Sequence, residues 1–238
     1  MTALRALLFN LVFFGSGAVF LSLSLPALLL PRQVTIGIGR LWFGFLLAAL
    51  RVLCGLSHEI RGRENLPATP CIIAAKHQSA WDTFGFISFI DDGAYVIKRE
   101  LIQIPVYGWL MSKAAMVPVD RTAGAKALRA MVKTARARLD EGRHIVIFPE
   151  GTRTAPGERR GYHPGVAALY SQLGVPVVPV ALNSGLYWPR RAFLKRPGRI
   201  VVEILPPIPP GLARGTFMTR LQSTIEEASE RLCGTGGA

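Results

Sequence analysis

The sequence predicts an α/β domain, a mixed sheet flanked by helices, preceded by an N-terminal segment of two membrane-associating helices. Three observations carry that prediction. No charged residue occurs from Ala6 to Pro31, a second apolar segment runs from Val34 to about Leu56, and beyond Ser57 short β-like runs alternate with helical ones, which is the pattern of layered α/β architecture. The 238 residues accommodate one sizeable domain and a small appendage. The division falls at 1–56 for the two-helix anchor and 57–238 for the α/β domain.

The first segment is flanked by Arg5 and Arg32 and exceeds the ~20 residues needed to span hydrocarbon. Pro26 and Pro31 end its helix near Leu25, because proline removes a helix donor and disfavours helix in the residue before it. In the second segment Arg40 and Arg51 project from nearly the same side of a helix, together with Gly37, Gly44 and Gly55, while Trp42, Phe43, Phe45, Leu46, Leu50 and Leu53 cover the rest. A narrow small-and-basic stripe on a greasy helix favours a position in the bilayer interface, with the arginines reaching lipid phosphates. A hairpin crossing the membrane twice and a cleavable signal peptide are the other two placements the pattern admits.

Strands are expected at Cys71–Ala75, Ala94–Ile97, Met116–Val119, His144–Phe148, Val177–Ala181 and Arg199–Ile204, with helices between them. Ala125–Asp140 places Leu128, Met131, Val132, Ala135 and Leu139 on one face. Near the C-terminus Phe217, Leu221, Ile225, Ala228 and Leu232 stand at helical spacing, the mark of a packing helix.

Lys and Arg outnumber Asp and Glu by 28 to 15, a net charge of +13, which favours an anionic partner: nucleic acid, anionic lipid or a phosphorylated substrate. The usual nucleic-acid signatures are missing. Cys54, Cys71 and Cys233 are odd in number and widely spaced, so neither a disulfide framework nor a zinc site is indicated and a reducing compartment fits. His58, His77, His144 and His163 form no H-E-x-x-H pair, and no Walker loop or complete G-x-G-x-x-G occurs; metal hydrolysis, ATP and dinucleotide chemistry are disfavoured.

Two strand-end segments carry the chemistry. Lys76 to Thr83, K-H-Q-S-A-W-D-T, follows the apolar run Cys71–Ala75. His77 and Asp82 would be ~140° apart in a continuous helix, whereas a turn with Asp82 in the first turn of the following helix lets the carboxylate hold one imidazole N–H and leaves the other nitrogen to take a proton. Such a His-x4-Asp pair alone arises by chance in ~20% of chains of this composition. Phe148 to Arg153, F-P-E-G-T-R, follows a second apolar run. Arg153 has the fork to bind a phosphate and the backbone around Gly151 could help cradle it. Glu150 reads equally as a structural ion pair or a substrate contact. The aromatics Trp81, Phe84, Tyr107 and Trp109 read first as core, secondarily as walls of an apolar channel.

His-x4-Asp followed about 70 residues later by F-P-E-G-T-R resembles the glycerolipid acyltransferase family. Lys98–Trp109, Val117–Arg121 and Val175–Leu182 are similar to further blocks of that family, so that the resemblance covers roughly 57–206; Lys76 departs from it, standing where Asn is common. The resemblance implies transfer of a fatty acyl group from acyl-CoA or acyl carrier protein to the free hydroxyl of lysophosphatidic acid or a related acceptor. It implies His77 as general base oriented by Asp82; Arg153, then Arg121 and Lys98, on the acceptor's phosphate; and Glu150, Gly151 and Thr152 in support. Ester formation from a thioester needs such a base, since an alcohol is too weakly acidic to ionise unaided. No G-x-S-x-G elbow suggests an acyl-enzyme. Backbone N–H groups near the helix start would stabilise the oxyanion. No metal or tightly bound cofactor is expected beyond the thioester co-substrate; the partners are a lysophospholipid, the donor and a bilayer, with no nucleic acid. The expected location is the inner membrane with the catalytic domain on its cytoplasmic face. A non-catalytic membrane scaffold is the contrasting reading.

Overall fold

The computed structural model describes residues 2–120 and 124–235. Two long helices, α1 (Thr2–Leu23) and α2 (Arg32–Cys54), lead into β1 (Leu56–Arg61), β2 (Ile72–Ala75), α3 (Asp82–Gly85), β3 (Ala94–Lys98), α4 (Arg99–Ile102), α5 (Tyr107–Lys113) and β4 (Val117–Val119). Then come α6 (Gly124–Asp140), β5 (Ile145–Ile147), α7 (Pro164–Leu173), β6 (Val177–Leu182), α8 (Ser184–Tyr187), β7 (Gly198–Ile204) and α9 (Arg214–Thr235). The strands form one mixed sheet in the order β1-β7-β6-β2-β5-β3-β4. Every neighbouring pair is parallel except β6 and β7.

The central strands are apolar throughout because both sheet faces are covered. Side-chain alternation then sorts them. Ile73, Ala75, Val146 and Val178 join a core shared with α1 and α2, whereas Ile72, Ala74, Ile145 and Ile147 face α6, α7 and α9. The apolar stripes of α6 and α9 are buried as their spacing requires, apart from Leu128, which is only partly covered. Pro179 sits inside β6 although it lacks a donor; its carbonyl accepts from Leu205, just where the ladder with β7 ends.

β1 is the one strand the sequence pattern does not announce. Its residues Ser57, His58, Glu59 and Arg61 are polar, yet it pairs in parallel with β7 along its whole length as an edge strand; backbone pairing holds it, with Leu56 and Ile60 as its apolar contacts to the core. The two expected apolar helices are present as α1 and α2 and pack onto the α/β domain. Phe9, Leu46, Leu50 and Cys54 belong to the same core as Ile73 and Ile200, so the boundary at residue 56 divides pieces that share one interior. Arg40, expected to reach lipid phosphates, pairs with Asp91 at 2.7 Å, and Arg32 pairs with Asp92 at 2.7 Å. The loop before β3 presents two carboxylates to α2, which take Arg32 and Arg40. Both helices are nonetheless long and apolar enough to cross a membrane.

Candidate active site

The carboxyl ends of the parallel strands open onto a cleft of about 630 Å³, a volume suited to a small ligand and in the position where open α/β sheets bind one. His77 lies two residues beyond β2 and lines the cleft. Asp82 opens α3 and is completely buried. Its Oδ2 lies 2.9 Å from His77 Nδ1 and also accepts the backbone N–H groups of Gln78 (2.7 Å) and Ser79 (2.8 Å). Its Oδ1 accepts the Ser184 hydroxyl at 2.6 Å. The other three partners are donors, and a carboxylate ion only accepts, so the tautomer that fits the contact carries its proton on Nδ1 and leaves Nε2 unprotonated. Phe148 stacks on the imidazole with centroids 4.1 Å apart, fixing the ring plane. The Gln78 and Ser79 N–H groups before the helix are spent on Asp82, so these two are not available to an oxyanion.

The segment after β5 turns sharply through Gly151, at φ 67, a left-handed conformation that favours glycine, and the Gly151 N–H closes the turn on the Phe148 carbonyl. Thr152 and Arg153 line the cleft beside His77. Glu150 does not. It is buried, and Oε2 accepts the His77 backbone N–H at 2.8 Å while Oε1 takes the Thr154 hydroxyl at 2.9 Å and the Lys76 ammonium at 2.6 Å. Thr154 donates its N–H to the His77 carbonyl (2.8 Å), and its hydroxyl, whose one hydrogen goes to Glu150, lies 3.1 Å from the same carbonyl. Of the two readings open for Glu150, the geometry gives the ion pair, and with Lys76, not its neighbour Arg153.

Lys76 has the parity of Ile72 and Ala74, so it turns to the opposite side of the sheet from His77. Only 1% exposed, it binds Glu226 of α9 through both carboxylate oxygens (2.7 and 2.9 Å), and Tyr162 donates to the same carboxylate at 3.0 Å. One ammonium thus serves two buried carboxylates. Burial pushes the Glu150 carboxyl above its ordinary range, with Lys76 opposing; Tyr162 is pushed up by burial and by the nearby Glu226 and Glu150.

Lys98 lines the cleft and is exposed. Arg121 lies outside the described residues. Four contributors escaped the sequence reading. Ser184 and Glu226 lie far along the chain from the residues they hold, and no local signal marks them. Arg190 and Arg191 line the cleft mouth, and their adjacency in a Pro-flanked loop was the available clue. Of the four aromatics, Tyr107 lines the cleft and Phe84 a neighbouring apolar cavity of about 170 Å³, Trp81 is core, and Trp109 is half exposed. The two spaces share Phe43, Thr83, Tyr95, Tyr107, Met111 and Met116, so a polar mouth continues into a greasy pocket beneath α1 and α2.

An imidazole held by a buried carboxylate at the strand ends of an open sheet, next to cations and a greasy pocket, is an arrangement equipped for general-base chemistry. The sequence model of the acyltransferase family matches residues 57–183. The chain is 37% identical over 206 residues to 1-acyl-sn-glycerol-3-phosphate acyltransferase of Pseudomonas aeruginosa, covering 86% of this chain and 80% of that one. It is 30% identical over 167 residues to 1-acyl-sn-glycerol-3-phosphate acyltransferase alpha of Mus musculus, covering 68% of this chain and 59% of the mouse protein. The crystal structure of the 1-acyl-sn-glycerophosphate acyltransferase PlsC from Thermotoga maritima superposes with a TM-score of 0.78 over 98% of each chain at 24% identity, and so shares the fold. The chain belongs to the acyltransferase family, and it is an acyltransferase.

Proposed function

We propose that the protein transfers a fatty acyl group from acyl-CoA or acyl carrier protein to the sn-2 hydroxyl of 1-acylglycerol 3-phosphate, giving phosphatidic acid. The observation that carries the reading is His77, which lines a cleft that joins cationic side chains to an apolar pocket and is held through Nδ1 by Asp82. The acceptor hydroxyl gives its proton to Nε2 as its oxygen attacks the thioester carbonyl; the C–O bond forms, the C–S bond breaks, and the leaving thiolate takes the proton from the imidazolium. Arg153 and Lys98 offer charge-assisted hydrogen bonds to the acceptor phosphate. The acyl chains take the space lined by Phe43, Tyr107 and Met111. The step needs no metal and no cofactor beyond the thioester. The names of the relatives support lysophosphatidic acid as acceptor.

The exposed apolar face of α1 and α2 suits the cytoplasmic leaflet of the inner membrane, where the thioester donors and a single-chain acceptor meet. The test is acyl transfer by the purified full-length chain in detergent, from labelled acyl-CoA or acyl carrier protein, to lysophosphatidic acid, lysophosphatidylglycerol, lyso-ornithine lipid and glycerol 3-phosphate, with His77→Ala in parallel. Transfer to lysophosphatidic acid that vanishes in the variant supports the whole reading. Transfer only to another acceptor corrects the substrate, and a fully active His77→Ala removes the mechanism.

A further inference from the structure

Between α8 and β7 the chain forms the loop 189–197, Pro-Arg-Arg-Ala-Phe-Leu-Lys-Arg-Pro. It leaves two large apolar side chains in solvent at its tip, Phe193 (52% exposed) and Leu194 (48%). Arg190, Arg191 and Arg196 beside them are exposed as well. Arg191 holds φ at 60, a conformation uncommon outside glycine and asparagine, so the turn that presents this tip is imposed by its surroundings.

Lys195, just past the tip, holds it in place. Lys195 is only 3% exposed; its ammonium donates to Asn10 Oδ1 and, at 2.9 Å, to the Phe193 carbonyl. The same ammonium lies 4.8 Å from the Trp188 ring centroid and 5.4 Å from that of Phe9. Asn10 reaches back to the Phe193 carbonyl at 3.4 Å. The loop tip is therefore pinned to α1 beside the stripe formed by Leu4, Leu7, Leu8, Leu11 and Phe14, all exposed and at helical spacing. At its other end the loop reaches the cleft, because Arg190 and Arg191 line the mouth that contains His77.

We infer that loop 189–197 is a bilayer-docking element: Phe193 and Leu194 insert beside α1 into an anionic lipid surface, and Arg190, Arg191 and Arg196 sit at the headgroup level, so that the catalytic cleft opens onto the leaflet that holds its acceptor. An apolar tip ringed by arginines has the composition of an interfacial anchor, and a chain carrying +13 is drawn to a surface of opposite sign. The acceptor route rests on the proposed lysophospholipid substrate; the docking itself does not.

The experiment uses the full chain with Phe193→Ser/Leu194→Ser and, separately, Arg196→Glu. Transfer is measured to a long-chain acceptor carried in phosphatidylcholine–phosphatidylglycerol vesicles and to a short-chain, water-soluble acceptor, with acyl-CoA and with acyl carrier protein as donors. The double variant is expected to lose roughly tenfold in kcat/KM on the vesicle substrate and to stay within about twofold on the soluble one. Arg196→Glu should lose activity on anionic vesicles and not on vesicles of phosphatidylcholine alone. Equal losses on both acceptors, or no loss on vesicles, overturn the proposal, and a loss confined to acyl carrier protein makes the loop a donor-docking face instead. Leu194→Cys labelled with a polarity-sensitive dye adds a readout independent of turnover. A blue shift on anionic vesicles is expected, and its absence overturns the proposal even if the serine variant does not fold. Failure of transfer to every acceptor with the dye still shifting refutes the substrate and leaves the docking standing.

Discussion

Residues 76 and 77 are neighbours at the end of β2, and their fates are opposite. His77 is placed toward the cleft, 12% exposed, with one ring nitrogen tied and one presented. Lys76 is turned into the protein and committed to Glu150 and Glu226. The segment after β5 splits in the same way, with Arg153 in the cleft and Glu150 behind it. Each strand-end motif therefore carries one residue that can meet a substrate and one that holds the first in place. The two inward residues pair with each other, and Glu150 also grips the backbone of His77.

The largest effect should come from the outward side. His77→Ala is expected to lower kcat by about 10²–10⁴-fold with a melting temperature near the parent's, since the ring is not core. Asp82→Asn should approach the same loss through a misplaced tautomer, and with some loss of stability because the Gln78 and Ser79 donors then face an amide. An active, stable His77→Ala would break the contrast at its origin.

On the inward side the order reverses, stability before rate. Lys76→Asn removes one cation from between two buried carboxylates and should cost about 3–5 kcal/mol in urea unfolding. Adding Glu226→Gln removes one of the orphaned charges, and the double variant should recover on the order of half the loss, read as coupling in a double-mutant cycle. A Lys76→Asn protein as stable as the parent would show that the buried group does no holding.

Arg153→Ala sharpens the distinction between binding and chemistry. It should raise KM for the phosphorylated acceptor roughly 10–100-fold, the worth of a charge-assisted hydrogen bond, with a smaller change in kcat. The opposite pattern would move Arg153 from the phosphate to the reacting atoms.

The smallest effect is expected just before the amino end of β5, where His144 Nδ1 accepts the Cys71 N–H at 3.3 Å. Burial lowers the His144 pKa, so the folded state prefers the neutral ring. Its contribution is present above the ordinary histidine pKa and is lost as pH falls through the lowered value. The melting temperature of the parent should drop more steeply than that of His144→Gln below about pH 6; identical slopes would remove the argument.

Much of this was legible in the residues. The apolar runs of β2 and β5 are fully buried strands that read as such, and the stripe on α9 announces its own packing face. His77 and Asp82 were readable as a pair because they are separated by one turn of chain, a local geometry. β1 was not, since a polar edge strand has no apolar signature. Nor was the partner of Glu150: Arg153 is near in sequence and wrong, Lys76 far in sequence and right.

By itself, then, the sequence determined the alternation that sends successive residues to opposite faces, the apolar helices, and the chemistry offered at two strand ends. Only the tertiary structure decided which charges meet. It set Glu226 of α9 on Lys76, Ser184 on Asp82, Asp91 on Arg40 and Lys195 between the rings of α1 and α8–β7. Side-chain period is a property of the backbone and can be counted along a chain, whereas a buried charge takes whichever partner the fold brings within a few ångströms.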